Sequence, residues 1–198
     1  MTDYDGPWKE ALTEFFQPFL ALCFPEIDAE VDWSRGYESL DQELRPLVRN
    51  SAWRCQWVDH LVKVWFRRQR EGGLIHVEVQ TSRESNFARR MFTYNHRLCD
   101  KYRRKVLSLA VLGDDNPRWR PDRFGYSRWG SSTEIRFPVV KLLDYAEQWE
   151  TLEQSRNPFA MVIMAHLLTL QTRHDPQARY SGKVELVKKL YDRARADG

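Results

Sequence analysis

Val58 to Phe66 reads VDHLVKVWF, and its residues alternate: Val58, His60, Val62, Val64 and Phe66 fall on one side, Asp59, Leu61, Lys63 and Trp65 on the other. A period of two belongs to a strand, whose successive side chains point to opposite faces. The next stretch, Arg67 to Gly73 (RRQREGG), is a charged turn ending in two glycines. It leads into Leu74 to Gln80, LIHVEVQ, where Ile75, Val77 and Val79 take one face and His76, Glu78 and Gln80 the other. Two such runs across a Gly-containing turn predict a β-hairpin. Residues 84–102 then change period, with Phe87, Met91, Tyr94 and Leu98 at helical intervals. The apolar run Val106 to Leu112 suits a strand buried on both faces. Hairpin, helix and buried strand together predict an α/β core with a mixed central sheet flanked by helices.

Upstream of this core, Trp8, Leu12, Phe15, Phe16 and Phe19 have the spacing of an amphipathic helix, with Pro18 set to kink or restart it and Pro25 to end it. The signals from Ile27 to Val48 are mixed, and LDQEL (Leu40 to Leu44) fits a strand end or a helical turn. Downstream of Gly113 the chain is turn-rich, DDNPRWRPDRFG, before an extended Glu134 to Val140 (EIRFPVV). Asn157 and Pro158 are suited to cap a helix over Phe159 to Gln171, and a last helix is expected from about Gln177 to Arg195. No repeat or linker divides the chain. One domain over 1–198 is expected, its core at about 5–115 and a strand with C-terminal helices over about 116–198.

The 198 residues carry a formal charge of only +3, but unevenly. Residues 1–53 hold 4 bases and 11 acids, residues 54–128 hold 17 bases and 8 acids, and the remainder is nearly balanced. A basic middle third can steer a polyanion to one surface of a nearly neutral protein. The longest apolar stretch, Phe159 to Leu170, falls short of the roughly 20 residues that cross a bilayer. MTDYDGPW does not read as a secretory signal. Cys23, Cys55 and Cys99 are odd in number and form no CxxC pair, which argues against a disulfide framework or a thiolate zinc site. A cytoplasmic location is expected. The ending YDRARADG stops in mid-pattern without a clean cap, which reads as a truncation.

Asp59 and Glu78 lie on the two strands of the hairpin. If they share a face, two carboxylates converge, and like charges so placed require a cation between them. A divalent metal is the simplest one: two carboxylates, the Val79 carbonyl and water make an oxygen-rich site suited to Mg²⁺ or Mn²⁺. Pairing of either acid with Lys63 or Arg54 is the plainer alternative. His76 shares the face of Glu78, where it lines the same cleft or fills a polar strand position.

An Asp on one strand, Glu-x-Gln on the next, a basic helix and a buried strand resemble the core of the PD-(D/E)XK nuclease superfamily. More narrowly, VDHLVKV (Val58 to Val64), HVEVQ (His76 to Gln80) and RMFTY (Arg90 to Tyr94) are similar to its bacterial recombination-promoting, transposase-like branch, where glutamine commonly replaces the lysine of the third motif. Asp5, Lys9 and Leu40 to Leu44 look like less specific motifs of that branch, and RFPVVKLLDY (Arg136 to Tyr145) looks like the tail of close relatives. The resemblance implies a restriction-endonuclease-like core and a Mg²⁺- or Mn²⁺-dependent DNA endonuclease. It makes Asp59 and Glu78 the metal ligands and Gln80 the residue beside the attacking water. An amide orients water but lacks the charge of a lysine. Lys63, on the predicted face of Asp59, is therefore a candidate relocated lysine, and Glu43 a candidate first-motif acid. A catalytically silent DNA-binding or protein-interaction module on the same fold is the rival.

Arg83, Arg90, Arg97 and Arg104 recur every seven residues and predict a drifting stripe along the helix, suited to DNA phosphates. Trp119 and Phe124, among Arg118, Arg120 and Arg123, are read either as stacking on unpaired bases or as pinning a surface loop. DNA is the expected partner, with a homodimer an open alternative and no membrane.

Overall fold

The structure, a computed structural model, describes residues 5–41, 60–68 and 72–196. Three short helices come first: α1 (Asp5–Glu14), α2 (Phe16–Cys23) and α3 (Pro25–Glu30). The break between α1 and α2 falls at Phe15, so Pro18 lies in the first turn of α2, where its missing N–H costs nothing. Strands β1 (Glu38–Ser39), β2 (His60–Trp65) and β3 (Gly72–Gln80) precede α4 (Phe87–Tyr102) and β4 (Val106–Leu112). A two-stranded hairpin, β5 (Arg123–Arg128) and β6 (Ser131–Arg136), is followed by β7 (Val139–Lys141). Helices α5 (Trp149–Gln154), α6 (Pro158–Gln171) and α7 (Pro176–Ala196) close the chain.

The main sheet is mixed and runs β1-β2-β3-β4-β7. The first three strands are antiparallel, with Glu38 opposite Lys63 and His60 opposite Val77. β4 is parallel to β3, Glu78 facing Ala110 and Gln80 facing Leu112, and β7 is parallel to β4. The parallel step from β3 to β4 is the reason for α4: strands running the same way need a crossover, commonly a helix. The run EIRFPVV is not one strand. Pro138 has no N–H to give a ladder, and the chain passes there from β6 to β7.

Helices cover both faces of the sheet. Val62, Val64, Ile75, Val77, Leu109 and Val111 pack with Trp8, Phe16 and Phe19 of the first two helices and Phe159, Ile163 and Met164 of α6. On the other face Leu61 and Leu74 meet Tyr94 and Leu98 of α4, while Ala110 and Leu112 meet Phe87 and Met91. Side chains such as Phe16 and Phe87, with no exposed surface, each contribute about 1.5–3 kcal/mol by burial. Asn157 caps α6 as its sequence predicts, its Oδ1 accepting from Phe159 N at 2.8 Å. No helix among the described residues is long and apolar enough to cross a membrane.

One buried hydrogen-bond chain ties distant parts together. The Trp8 indole, a donor only, gives its proton to His166 Nδ1 at 3.3 Å, so Nε2 is the protonated nitrogen and donates to the Gly113 carbonyl at 2.7 Å. Burial pulls the His166 pKa down, only partly offset by its bond to Gly113, and the ring is held neutral. Gly113 must be glycine for steric reasons, since a Cβ there would stand 2.7 Å from His166 Nε2.

Candidate functional site

β3 places its alternating residues as its sequence predicts. Ile75 and Val77 enter the layer of α1, α2 and α6, and His76, Glu78 and Gln80 lie on the α4 side, all buried. Glu78 is 1% exposed. A carboxylate so enclosed needs a cationic or hydrogen-bonding partner, and Arg90 of α4 supplies it, Nε donating to Oε1 at 2.9 Å. The same guanidinium donates through Nη1 to Glu84 Oε2 at 2.5 Å and through Nη2 to Gln80 Oε1. Burial works against the charge on Arg90, but Glu78 and Glu84 outweigh it and hold the pKa above its ordinary value. The Gln80 amide nitrogen donates to Ser82, to its carbonyl at 2.8 Å and its hydroxyl at 3.2 Å. Both ends of the Gln80 amide are thus engaged.

The second oxygen of Glu78 is in a different position. Among the described residues, Oε2 is buried with no hydrogen-bond partner, and so is His76 Nε2, 3.4 Å away. Behind the imidazole runs a fixed relay. The Asn95 amide nitrogen donates to Val106 O at 2.8 Å and to Ser108 Oγ at 3.0 Å, and Ser108 Oγ lies 3.1 Å from His76 Nδ1. His76 also packs edge-on against Tyr94, ring centroids 6.1 Å apart. The ring is therefore held with Nε2 towards Glu78.

Glu78 Oε2 and His76 Nε2 face one another and have no other hydrogen-bond partner among the described residues. A carboxylate beside an imidazole is a donor pair that would suit Mn²⁺, and the carboxylate oxygen alone would suit Mg²⁺. Among the described residues no three His, Cys, Asp or Glu side chains come together. Asp59 and Glu43 lie outside the described residues. His60, which follows Asp59 in the chain, is paired with Val77, next to Glu78.

The remaining candidates are scattered. Lys63 stands opposite Leu74, four residues along β3 from Glu78, or roughly 13 Å at the rise of a strand. Its ammonium pairs with Glu38 Oε2 at 2.9 Å. The four arginines do not make one outer stripe, because α4 spans only Phe87–Tyr102. Arg83 precedes it, exposed in an irregular segment, Arg90 points inward, Arg97 is half-buried, and Arg104 follows the helix with Nη1 donating to Gly72 O at 2.7 Å. Trp119 and Phe124 pin their loop: Trp119 packs edge-on against Phe87 at 5.6 Å, and Phe124 lies 5.4 Å from Phe92.

One arrangement had no sequence signal. Asp41 holds His60, Oδ2 to Nδ1 at 2.8 Å, while its Oδ1 accepts from Leu61 N at 2.8 Å. Burial raises the Asp41 pKa, but the bonds from His60 and Leu61 prevail and lower it overall. His60 shares its strand face with valines, so alternation alone reads it as core. A distant carboxylate that engages its Nδ1 leaves no local pattern.

Comparison with family models, with curated proteins and with solved structures gives no match to this chain.

Proposed function

We propose that this chain is a metal-dependent DNA endonuclease of the PD-(D/E)XK type, with a restriction-endonuclease-like core. The observation that carries the reading is Glu78: a carboxylate 1% exposed, one oxygen fixed by Arg90 and the other without a hydrogen-bond partner among the described residues, on the strand that precedes the crossover helix. Supporting it is the element order: helices, an antiparallel β1-β2-β3 meander, α4, then β4 parallel to β3. His60, the first described residue after Asp59 in the chain, pairs with Val77, which adjoins Glu78.

In this reading Glu78 Oε2 and Asp59 hold the metal, with the Val79 carbonyl and His76 Nε2 as further donors. The metal, when bound, polarises the scissile phosphate and lowers the pKa of a water. Arg90 holds Glu78 in place through Oε1, so that the side chain need not reorganise. Gln80, held between Arg90 and Ser82, positions Arg90 rather than water. The Asn95, Ser108 and His76 relay orients the imidazole behind the acid.

A second reading has its own observation. Arg90 already gives Glu78 and Gln80 a cation, as expected of a nuclease fold that has become a non-catalytic DNA-binding or protein-interaction module. Plasmid nicking with Mg²⁺ and with Mn²⁺, paired with calorimetric metal titration, separates the two. The nuclease reading expects metal-dependent nicking and uptake that Glu78→Ala removes, and it fails if wild-type chain neither nicks nor takes up metal.

A further inference from the structure

The β5–β6 hairpin stands outside the five-stranded sheet. Its root is anchored: Phe124 rests on Phe92 of α4, and Ile135, opposite Phe124 in register, packs beside Phe87, Met91 and Phe137. Beyond that root the described residues give it no cover, and residues 125–132 are exposed throughout. Alternation puts Tyr126 and Arg128 on the same face as Phe124. Tyr126 is 61% exposed and Trp129, at the tip, 91%.

The tip is chemically expensive. Trp129 and Gly130 both have positive φ, 51° and 81°, the pair that a two-residue primed turn requires. Asn or Gly fills the first of these positions at little cost, whereas a bulky residue there is strained. Neither turn geometry nor packing asks for an indole at this point. Stacked on it at 4.2 Å is the Arg128 guanidinium, which has no carboxylate partner among the described residues. Arg123 and Arg136, across from one another at the root, each have an adjacent acid, Asp122 at 3.5 Å and Glu134 at 2.7 Å.

We propose that this hairpin is a nucleic-acid-binding prong, which takes unpaired bases on Trp129 and Tyr126 and an adjoining phosphate on Arg128. Every base has a π face, so exposed aromatics in a cationic setting hold single strands without reading sequence. Charge complementarity selects this occupant. Residues 118–136 carry five arginines and only two acids, and exposed Arg89 of α4 adds to them. Arginine forks match phosphate oxygens. A membrane-inserting tip would surround its indole with further apolar side chains, but here the neighbours are Ser127, Gly130, Ser131 and Ser132. The choice of nucleic acid rests on the reading of the chain as a DNA-acting protein.

Fluorescence anisotropy of a labelled single-stranded oligonucleotide, with the full chain in EDTA so that no cleavage intervenes, tests the prong apart from the nuclease reading. Trp129→Ala is expected to raise Kd by roughly 5- to 150-fold, the range equivalent to losing one stacked base. Trp129→Phe should recover most of the affinity. Arg128→Ala should lower the magnitude of the salt slope by about 1. The thermal midpoint of Trp129→Ala should stay that of wild type, since among the described residues the side chain stacks only with Arg128. Unchanged Kd in both alanine variants overturns the prong, even if metal-dependent nicking is found. A loss confined to duplex, or a loss seen only on anionic vesicles, also overturns it. Lost single-strand affinity without any nicking activity sustains the prong and sinks the nuclease reading alone.

Discussion

Arg90 of α4 and Glu78 of β3 form a charge pair inside the protein, Nε to Oε1 at 2.9 Å, with the acid 1% and the base 10% exposed in their side chains. A pair this enclosed carries a desolvation cost, so its value lies less in net stabilisation than in what happens when one partner is removed.

Arg90→Ala should therefore destabilise by about 3–5 kcal/mol, because it removes one partner of a buried pair and leaves Glu78 enclosed without it. Arg90→Lys should be intermediate, since one ammonium cannot span Glu78, Gln80 and Glu84 as the planar guanidinium does. Adding Glu78→Gln to Arg90→Ala should recover part of the loss. Urea denaturation of the three variants measures this. A double variant no more stable than Arg90→Ala would show that the pair is not the cause.

Lys63→Ala should leave metal-dependent cleavage at the wild-type rate and cost at most about 1 kcal/mol, the usual worth of a part-exposed ion pair. Its ammonium is engaged with Glu38 and lies at the level of Leu74, not of Glu78. Nicking assays beside Glu78→Ala check it. A severe Lys63→Ala defect with the fold intact would restore it as the displaced lysine.

His166 gives the protein a pH slope whose sign is set by burial. Its folded pKa is lowered, so between that value and about 6.5 the unfolded chain binds the proton more readily. The contribution to stability is whole above about 6.5 and is lost as pH falls through the window below it. His166→Gln should flatten stability between pH 7 and 5 relative to wild type. Chemical denaturation at several pH values reads the slope, and an unaltered slope in the variant rules His166 out.

Gly113→Ala should cost about 1–3 kcal/mol, as overpacking in a tight interior does. The added methyl would stand 2.7 Å from His166 Nε2, which is held by bonds on both nitrogens and cannot give way freely. Combining it with His166→Ala should remove most of that cost, which a double-mutant cycle measures.

How far the sequence was legible follows from the range of each signal. The two faces of β3 and the buried positions Phe87, Met91, Tyr94 and Leu98 were readable because period is a local property. So was the Asn157 cap, settled by a residue two positions away. Arg90 was not, because an arginine recurring along an arginine-rich helix reads as one of an outward phosphate-binding stripe until Glu78, on another element, is seen beneath it. The hairpin tip was hidden for a similar reason. Nothing local separates Trp119 and Phe124, which find Phe87 and Phe92, from Trp129, which among the described residues finds only its neighbour Arg128. The buried pair of Lys141 and Asp114 likewise joins a strand to a distant turn and has no periodic trace.

The Trp8, His166 and Gly113 chain also bears on the order in which a nascent polypeptide can fold. The layer beneath α4 draws on residues 40–137 and can close once that length has emerged. The layer of α1 and α2 cannot, because Phe159, Ile163 and Met164 complete it. During synthesis α1 and α2 thus wait, with Trp8, Phe16 and Phe19 unshielded from this side, until some 150 further residues have been translated. Contacts of such long sequence separation slow folding and prolong exposure to wrong partners. The amino-terminal aromatics are thus where a chaperone has most to protect.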